Sequence, residues 1–171
     1  MATFILTVVG DDRPGLVSAL SAPIKEQGGS WERSQMSKLA GKFAGIVLVA
    51  VADDRYDALV SDLVSLKDQG LQIAIERTDE SVERESVRVQ LELLGADHPG
   101  IIADISSALA AQGVSIDELS TDVRDAPMAG GTLFEASAVL DAPTSVSTEA
   151  LRSMLEDLAD ELMVEIRLSD G

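Results

Sequence analysis

The chain has 171 residues, 46% hydrophobic and only 3% aromatic, enough for one large or two small domains packed from Leu, Ile, Val and Ala. A formal charge of −17 opposes direct contact with nucleic acid, whose phosphates need a basic surface. The absence of cysteine excludes disulfides, thiolate nucleophiles and Cys-ligated zinc. The opening, Met1 to Gly10, has no basic n-region, and no segment approaches the ~20 apolar residues of a membrane helix. A cytoplasmic protein is the expectation.

Residues 2–9 read as a strand. They run into Gly10-Asp11-Asp12-Arg13-Pro14-Gly15, after which residues 15–27 carry apolar positions at helical spacing. Gly28 is placed to stop that helix, and Pro23 inside it predicts a kink or an early end. A strand over Trp31–Leu39 turns at Gly41-Lys42 into Phe43–Val51, an almost wholly apolar run of the kind a central strand needs. Trp31 itself suits a core or a domain interface. A second helix presents Leu59, Leu63 and Leu66, and a short strand, Leu71–Ile75, completes the series.

After the charged run Thr78–Glu85 the same phrase returns. "GDDRPGLVSALSAPIKEQGGS" at 10–30 and "GADHPGIIADISSALAAQGVS" at 95–115 align without a gap at an offset of 85. Gly10 matches Gly95, Asp12 matches Asp97, Pro14-Gly15 matches Pro99-Gly100, and Ser30 matches Ser115. Two copies of one domain explain this, at 1–77 and 86–171, with 78–85 as a charged linker. In the second copy Val87, Val89, Leu91 and Leu93 alternate with polar residues over a strand at 86–94. A helix at 100–112 stops at Gly113, and a strand covers Ile116–Val123. The following turn, "RDAPMAGG", is longer by six residues if Phe43 matches Phe134. A helix with Leu151, Leu155, Leu158 and Leu162 and a strand at Met163–Leu168 follow. Each copy is therefore β-α-β-β-α-β. The fold class is α+β, two ferredoxin-like units, each a four-stranded antiparallel sheet with two helices on one face.

The repeated turn is the candidate site. Pro at the first helical position sacrifices no hydrogen bond, and an Asp before it can accept from first-turn amides. Gly15 and Gly100 let a backbone or a ligand approach, and free amides at a helix start suit a carboxylate. The same loop could equally serve only to start the helix. Neither copy has a nucleotide-binding glycine motif. His98, the one histidine, could be a base or a metal ligand. Its counterpart Arg13 can be neither, so His98 reads as a polar loop residue or ligand contact. No Ser/His/Asp spacing, HExxH or clustered carboxylate pair is present, so no catalytic residue, metal or cofactor is expected. The acidic helix "EALRSMLEDLADE" is a solvated face or a patch for a basic partner.

Motif, element order and repeat together resemble the ACT domain over essentially the whole chain. The tandem, with "GDDRPGLVSALS" in the first copy and the extended hairpin "DAPMAGGTLFEA" in the second, is similar to the glycine cleavage system transcriptional repressors. "DRPGL" openings also occur in ACT domains attached to formyltetrahydrofolate deformylases and phosphoserine phosphatases. The resemblance implies a non-enzymatic regulatory protein. It would bind a small amino acid, glycine first, where two such domains pack together. The implied contacts are Asp12, Arg13, Pro14, Gly15 and Ser30, and Asp97, His98, Pro99, Gly100 and Ser115. It would control a transcription regulator by protein–protein contact, without touching nucleic acid or membrane, with a homodimer allowed for. A detached amino-acid-binding regulatory subunit of a metabolic enzyme is the alternative.

Overall fold

A computed structural model describes residues 1–79, 84–128 and 130–171. The chain divides into two compact units, Met1–Val82 and Glu83–Gly171. Residues 80–83 of the charged run at 78–85 lie outside the described residues.

In the first unit β1 (Ala2–Asp11) leads into α1 (Leu16–Glu26), β2 (Ser30–Leu39), β3 (Lys42–Val51), α2 (Tyr56–Val64) and β4 (Gln72–Arg77). The second repeats this as β5 (Ser86–Ala96), α3 (Ile101–Ala111), β6 (Ser115–Asp125), β7 (Thr132–Pro143), α4 (Thr148–Leu162) and β8 (Val164–Asp170). The sheet orders are β2-β3-β1-β4 and β6-β7-β5-β8, antiparallel throughout. These are two ferredoxin-like βαββαβ units. The apolar runs β3 and β1 are central, as two-sided neighbours require.

Alternation decides which face meets the helices. Phe4, Leu6 and Val8 of β1 and Val47, Val49 and Val51 of β3 are buried against Leu16, Leu20 and Ile24 of α1 and Leu59 and Leu63 of α2. In the second unit Val89, Leu91 and Leu93 and Ala138 and Leu140 pack on Ile101, Ile105 and Leu109 and on Leu151 and Leu155. Each fully buried Leu or Ile contributes roughly 1.5–3 kcal/mol, so these layers dominate the stability.

Several elements differ from their sequence reading. Pro23 does not end α1 early: α1 and α3 are both 11 residues long, because Leu20 and Ile24 stay buried on either side of the missing donor. Leu66 lies in a 3-10 turn, Ser65–Gln69, that follows α2. In α4 the buried series is Leu151, Leu155, Ala159 and Leu162, with Leu158 at its margin. Gly28 and Gly113 do end their helices. Gly29 N donates to Ile24 O and Val114 N to Leu109 O, with Gly28 N to Lys25 O and Gly113 N to Ala110 O inside them, which is the Schellman pattern.

Register ties the copies together. Gly10 pairs with Phe43 and Gly95 with Phe134, so the two phenylalanines are equivalent. The hairpin insertion is one extra rung, Asp125 with Thr132, and a longer loop. A bulge recurs at equivalent places, between Trp31 and Arg33 and between Ile116 and Glu118. Trp31 is half-buried against its own unit's core. No helix of the described residues is long and apolar enough to cross a membrane.

Candidate functional site

The motif turn is built at the end of the first strand of each unit. A Cβ on Gly10 would lie 2.7 Å from Leu71 Cδ2, and one on Gly95 only 2.5 Å from Val164 Cγ1. These glycines therefore serve strand approach. Asp12 N then donates to Gly41 O and Asp97 N to Thr132 O, both at 2.9 Å, which anchors the turn to the neighbouring hairpin.

Gly15 has φ 87° and ψ 6°, and Gly100 φ 94° and ψ −2°. These values belong to the third residue of a type II turn, whose second residue favours proline. Pro14 and Pro99 thus precede the helix instead of opening it, a correction to the sequence reading: fixed proline φ suits both places, and only the glycine's left-handed backbone distinguishes them. Gly15 and Gly100 are the N-caps, with Ala19 N bonded to Gly15 O and Asp104 N to Gly100 O. Neither α1 nor α3 has a side-chain cap, whereas Ser147 Oγ accepts from Ala150 N at α4. Asp12 and Asp97 do not cap.

The basic residues between Asp and Pro share one task. Arg13 Nη2 donates to Gln69 O at 3.0 Å, and His98 Nε2 to Leu162 O at 2.9 Å. Each carbonyl ends a helical segment just before a left-handed residue, Gly70 (φ 85°) or Met163 (φ 55°). Helix C-termini leave carbonyls without intrahelical donors, so a cation placed there fills them and complements the dipole. His98 Nδ1 also lies 3.1 Å from Pro99 O. Two carbonyls facing the two ring nitrogens favour the doubly protonated ring. The Leu162 and Pro99 carbonyls, with Asp97 and Asp104 nearby, hold its pKa above the usual 6.5. A ring so placed fits neither a general base nor a metal ligand; it positions the turn.

The carboxylates differ between copies. Asp12 Oδ2 lies 3.0 Å from Lys38 Nζ, and Asp11 is paired with Lys42, which lowers its pKa. The position of Lys38 is taken by Val123 in the second unit, since each pairs with the equivalent phenylalanine. Lys38 has no signature in the sequence; only register brings it to Asp12.

Ser30 and Ser115 are not brought to the turns. Ser30 pairs with Ala50, which pairs with Thr3, while the turn follows Asp11 at the other end of β1. Eight residues of strand separate them, roughly 27 Å. Ser115 stands likewise opposite Asp141 and Arg88, at the far end from Asp97. Within one unit the site therefore reduces to Asp12–Gly15 or Asp97–Gly100. Among the described residues no group of three or more His, Cys, Asp or Glu could hold a metal ion.

Comparison with known proteins agrees with this architecture. Two family models, both described as the ACT domain, match residues 2–76 and 89–152. The chain belongs to the ACT-domain family, with two copies in tandem. A crystal structure of an unknown protein from Galdieria sulphuraria superposes with a TM-score of 0.89 at 32% identity, covering 99% of this chain and 98% of that one. A protein provisionally named a glycine cleavage system transcriptional repressor superposes with a TM-score of 0.75 at 17% identity, over 98% and 96% of the two chains. At that identity the likeness is one of fold. UPF0237 protein MK1213 of Methanopyrus kandleri is 36% identical over 81 residues, 46% of this chain and 82% of that protein.

Proposed function

We propose that this chain is a non-enzymatic regulatory protein that binds a small amino acid, glycine first, and acts on a transcription regulator by protein–protein contact. The supporting observation is the uncapped start of α3 beside Asp97. The first-turn amides there have no side-chain acceptor from the cap, and a ligand carboxylate supplies one. Asp97, at a position where the first copy carries an Asp–Lys pair, offers an acceptor for the ammonium group. The rigid turn, held by Pro99, Gly100 and the His98–Leu162 bond, fixes both partners in advance, which lowers the ordering cost of binding. In the first copy Lys38 already neutralises Asp12, so the second copy is the working site. The roles of Arg13 and His98 are to hold the turn.

Titration calorimetry of the full chain against the twenty amino acids tests this reading. One small amino acid is expected to give saturable heat. If none of the twenty does so, the ligand-binding reading fails.

A further inference from the structure

The face of each sheet turned away from the helices differs sharply between the two copies. In the first unit β1 presents Thr3, Ile5, Thr7 and Val9 there, and β3 presents Ala44, Ile46, Leu48 and Ala50. Val9 is 39% and Ile46 49% exposed. At equivalent positions the second unit has Arg88, Gln90, Glu92 and Leu94, and Glu135, Ser137, Val139 and Asp141. The fold therefore does not require an apolar outer face, because the same fold stands with a charged one. An antiparallel sheet with one open side ordinarily shows polar residues there, and a contiguous apolar band marks a contact surface.

The band has the anatomy of an interface, apolar at the centre and polar at the rim. One rung reads Arg33, Leu48, Ile5, Glu76 from β2 across to β4, and the next reads Gln35, Ile46, Thr7, Ala74. The first rung thus ends in a cation on one edge and an anion on the other. A two-fold axis lying between two such sheets, parallel to their strands, sets β2 of one copy over β4 of the other at the same height. Arg33 then faces the partner's Glu76 and Leu48 faces the partner's Ile5, each twice, as an isologous contact demands.

We infer that the chain dimerises by packing this outer sheet face of residues 1–79 on the same face of a second copy. Charge favours that face: residues 1–79 carry 11 carboxylates against 8 Lys and Arg, whereas residues 86–171 carry 16 against 4. Self-repulsion is therefore concentrated in the second unit. Four strands about 4.8 Å apart and eight residues long give a face of roughly 500 Å². Two of them bury on the order of 1,000 Å², the lower end for specific association.

Sedimentation equilibrium of the full chain from about 1 to 200 μM, in about 0.15 M salt to screen the net charge, tests this inference. The expected result is a reversible rise from 18.0 kDa toward twice that mass. Ile46→Glu abolishes the rise. Arg33→Glu weakens association at least tenfold, and Arg33→Glu/Glu76→Arg restores it. Thermal melts verify that each variant is folded, and the exposed charge pair carries the test if Ile46→Glu is not. A chain monomeric at 200 μM, or a dimer indifferent to both Arg33→Glu and its reversal, overturns the proposal.

Discussion

The imidazole Nε2 of His98 lies 2.9 Å from the carbonyl oxygen of Leu162, and Arg13, its counterpart in the first copy, makes the same bond to Gln69 at 3.0 Å. Two different side chains thus dock the motif turn on the end of a helical segment, the 3-10 turn after α2 in the first unit and α4 itself in the second. One is a guanidinium, and the other is an imidazole whose pKa is raised above 6.5 by the two carbonyls it faces.

The imidazole predicts a pH dependence in the second unit. The folded-state pKa of His98 is raised above 6.5 by the Leu162 and Pro99 carbonyls. Its contribution is therefore complete below the unfolded value and is lost as the pH rises through the folded one. Because His98 is the only histidine, one imidazole resonance in an NMR titration reports it, with a midpoint above 6.5. His98→Arg should keep the bond at all pH values. Melts of the variant and of the natural protein should match near pH 5.5 and diverge toward pH 8.5, the variant being more stable. Equal separation at both pH values would remove the role given to the protonated ring.

The repeated glycines should differ in tolerance. A Cβ at Gly95 would meet Val164 Cα at 2.9 Å as well as its side chain, whereas at Gly10 the closest atom is the end of the flexible Leu71 side chain. Overpacking of this kind costs about 1–3 kcal/mol. Gly95→Ala should fall in that range and Gly10→Ala below it, measured by urea denaturation. The reverse order would mean that β8 yields more readily than the 70–72 segment.

Ala40 offers a gain. With Gly41 it forms the two-residue loop between β2 and β3, and both have positive φ, 50° and 78°. Such a type I′ turn prefers Asn or Gly at the first position. Ala40→Asn should raise stability by about 0.5–1 kcal/mol, because asparagine tolerates the left-handed region better than alanine. A melting temperature unchanged or lowered would count against the turn assignment.

The sequence shows the architecture because its strongest signals repeat. Alternation in Val87–Leu93, helical spacing in Leu16–Ile24 and the offset of 85 constrain one another. Even the equivalence of Phe43 and Phe134 follows once the repeat is noticed. The details of the turn are less legible. A Pro-Gly pair before a helix fits both a helix-opening proline and a type II turn, and the positive φ of Gly15 and Gly100 decides between them. In α4, Leu158 and Ala159 are adjacent, so periods of 3 and 4 residues compete, and the packing of Leu155 and Leu162 selects alanine. The acceptors of Arg13 and His98 are backbone carbonyls 56 and 64 residues away, and a carbonyl has no residue-type signature. Ser30 falls away from the site because a helix crosses the length of the sheet between the motif and that serine.

The central claim is that the second copy's turn holds the amino acid through Asp97. Titration calorimetry of the binding amino acid against the natural protein, Asp97→Asn and Asp12→Asn tests it most directly, with melts to verify folding. A charge-assisted hydrogen bond is worth roughly 1.5–3 kcal/mol, or about 10- to 150-fold in affinity. The account predicts that loss for Asp97→Asn and little change for Asp12→Asn, whose carboxylate is already held by Lys38. Undiminished affinity in Asp97→Asn, or a loss confined to Asp12→Asn, would contradict it.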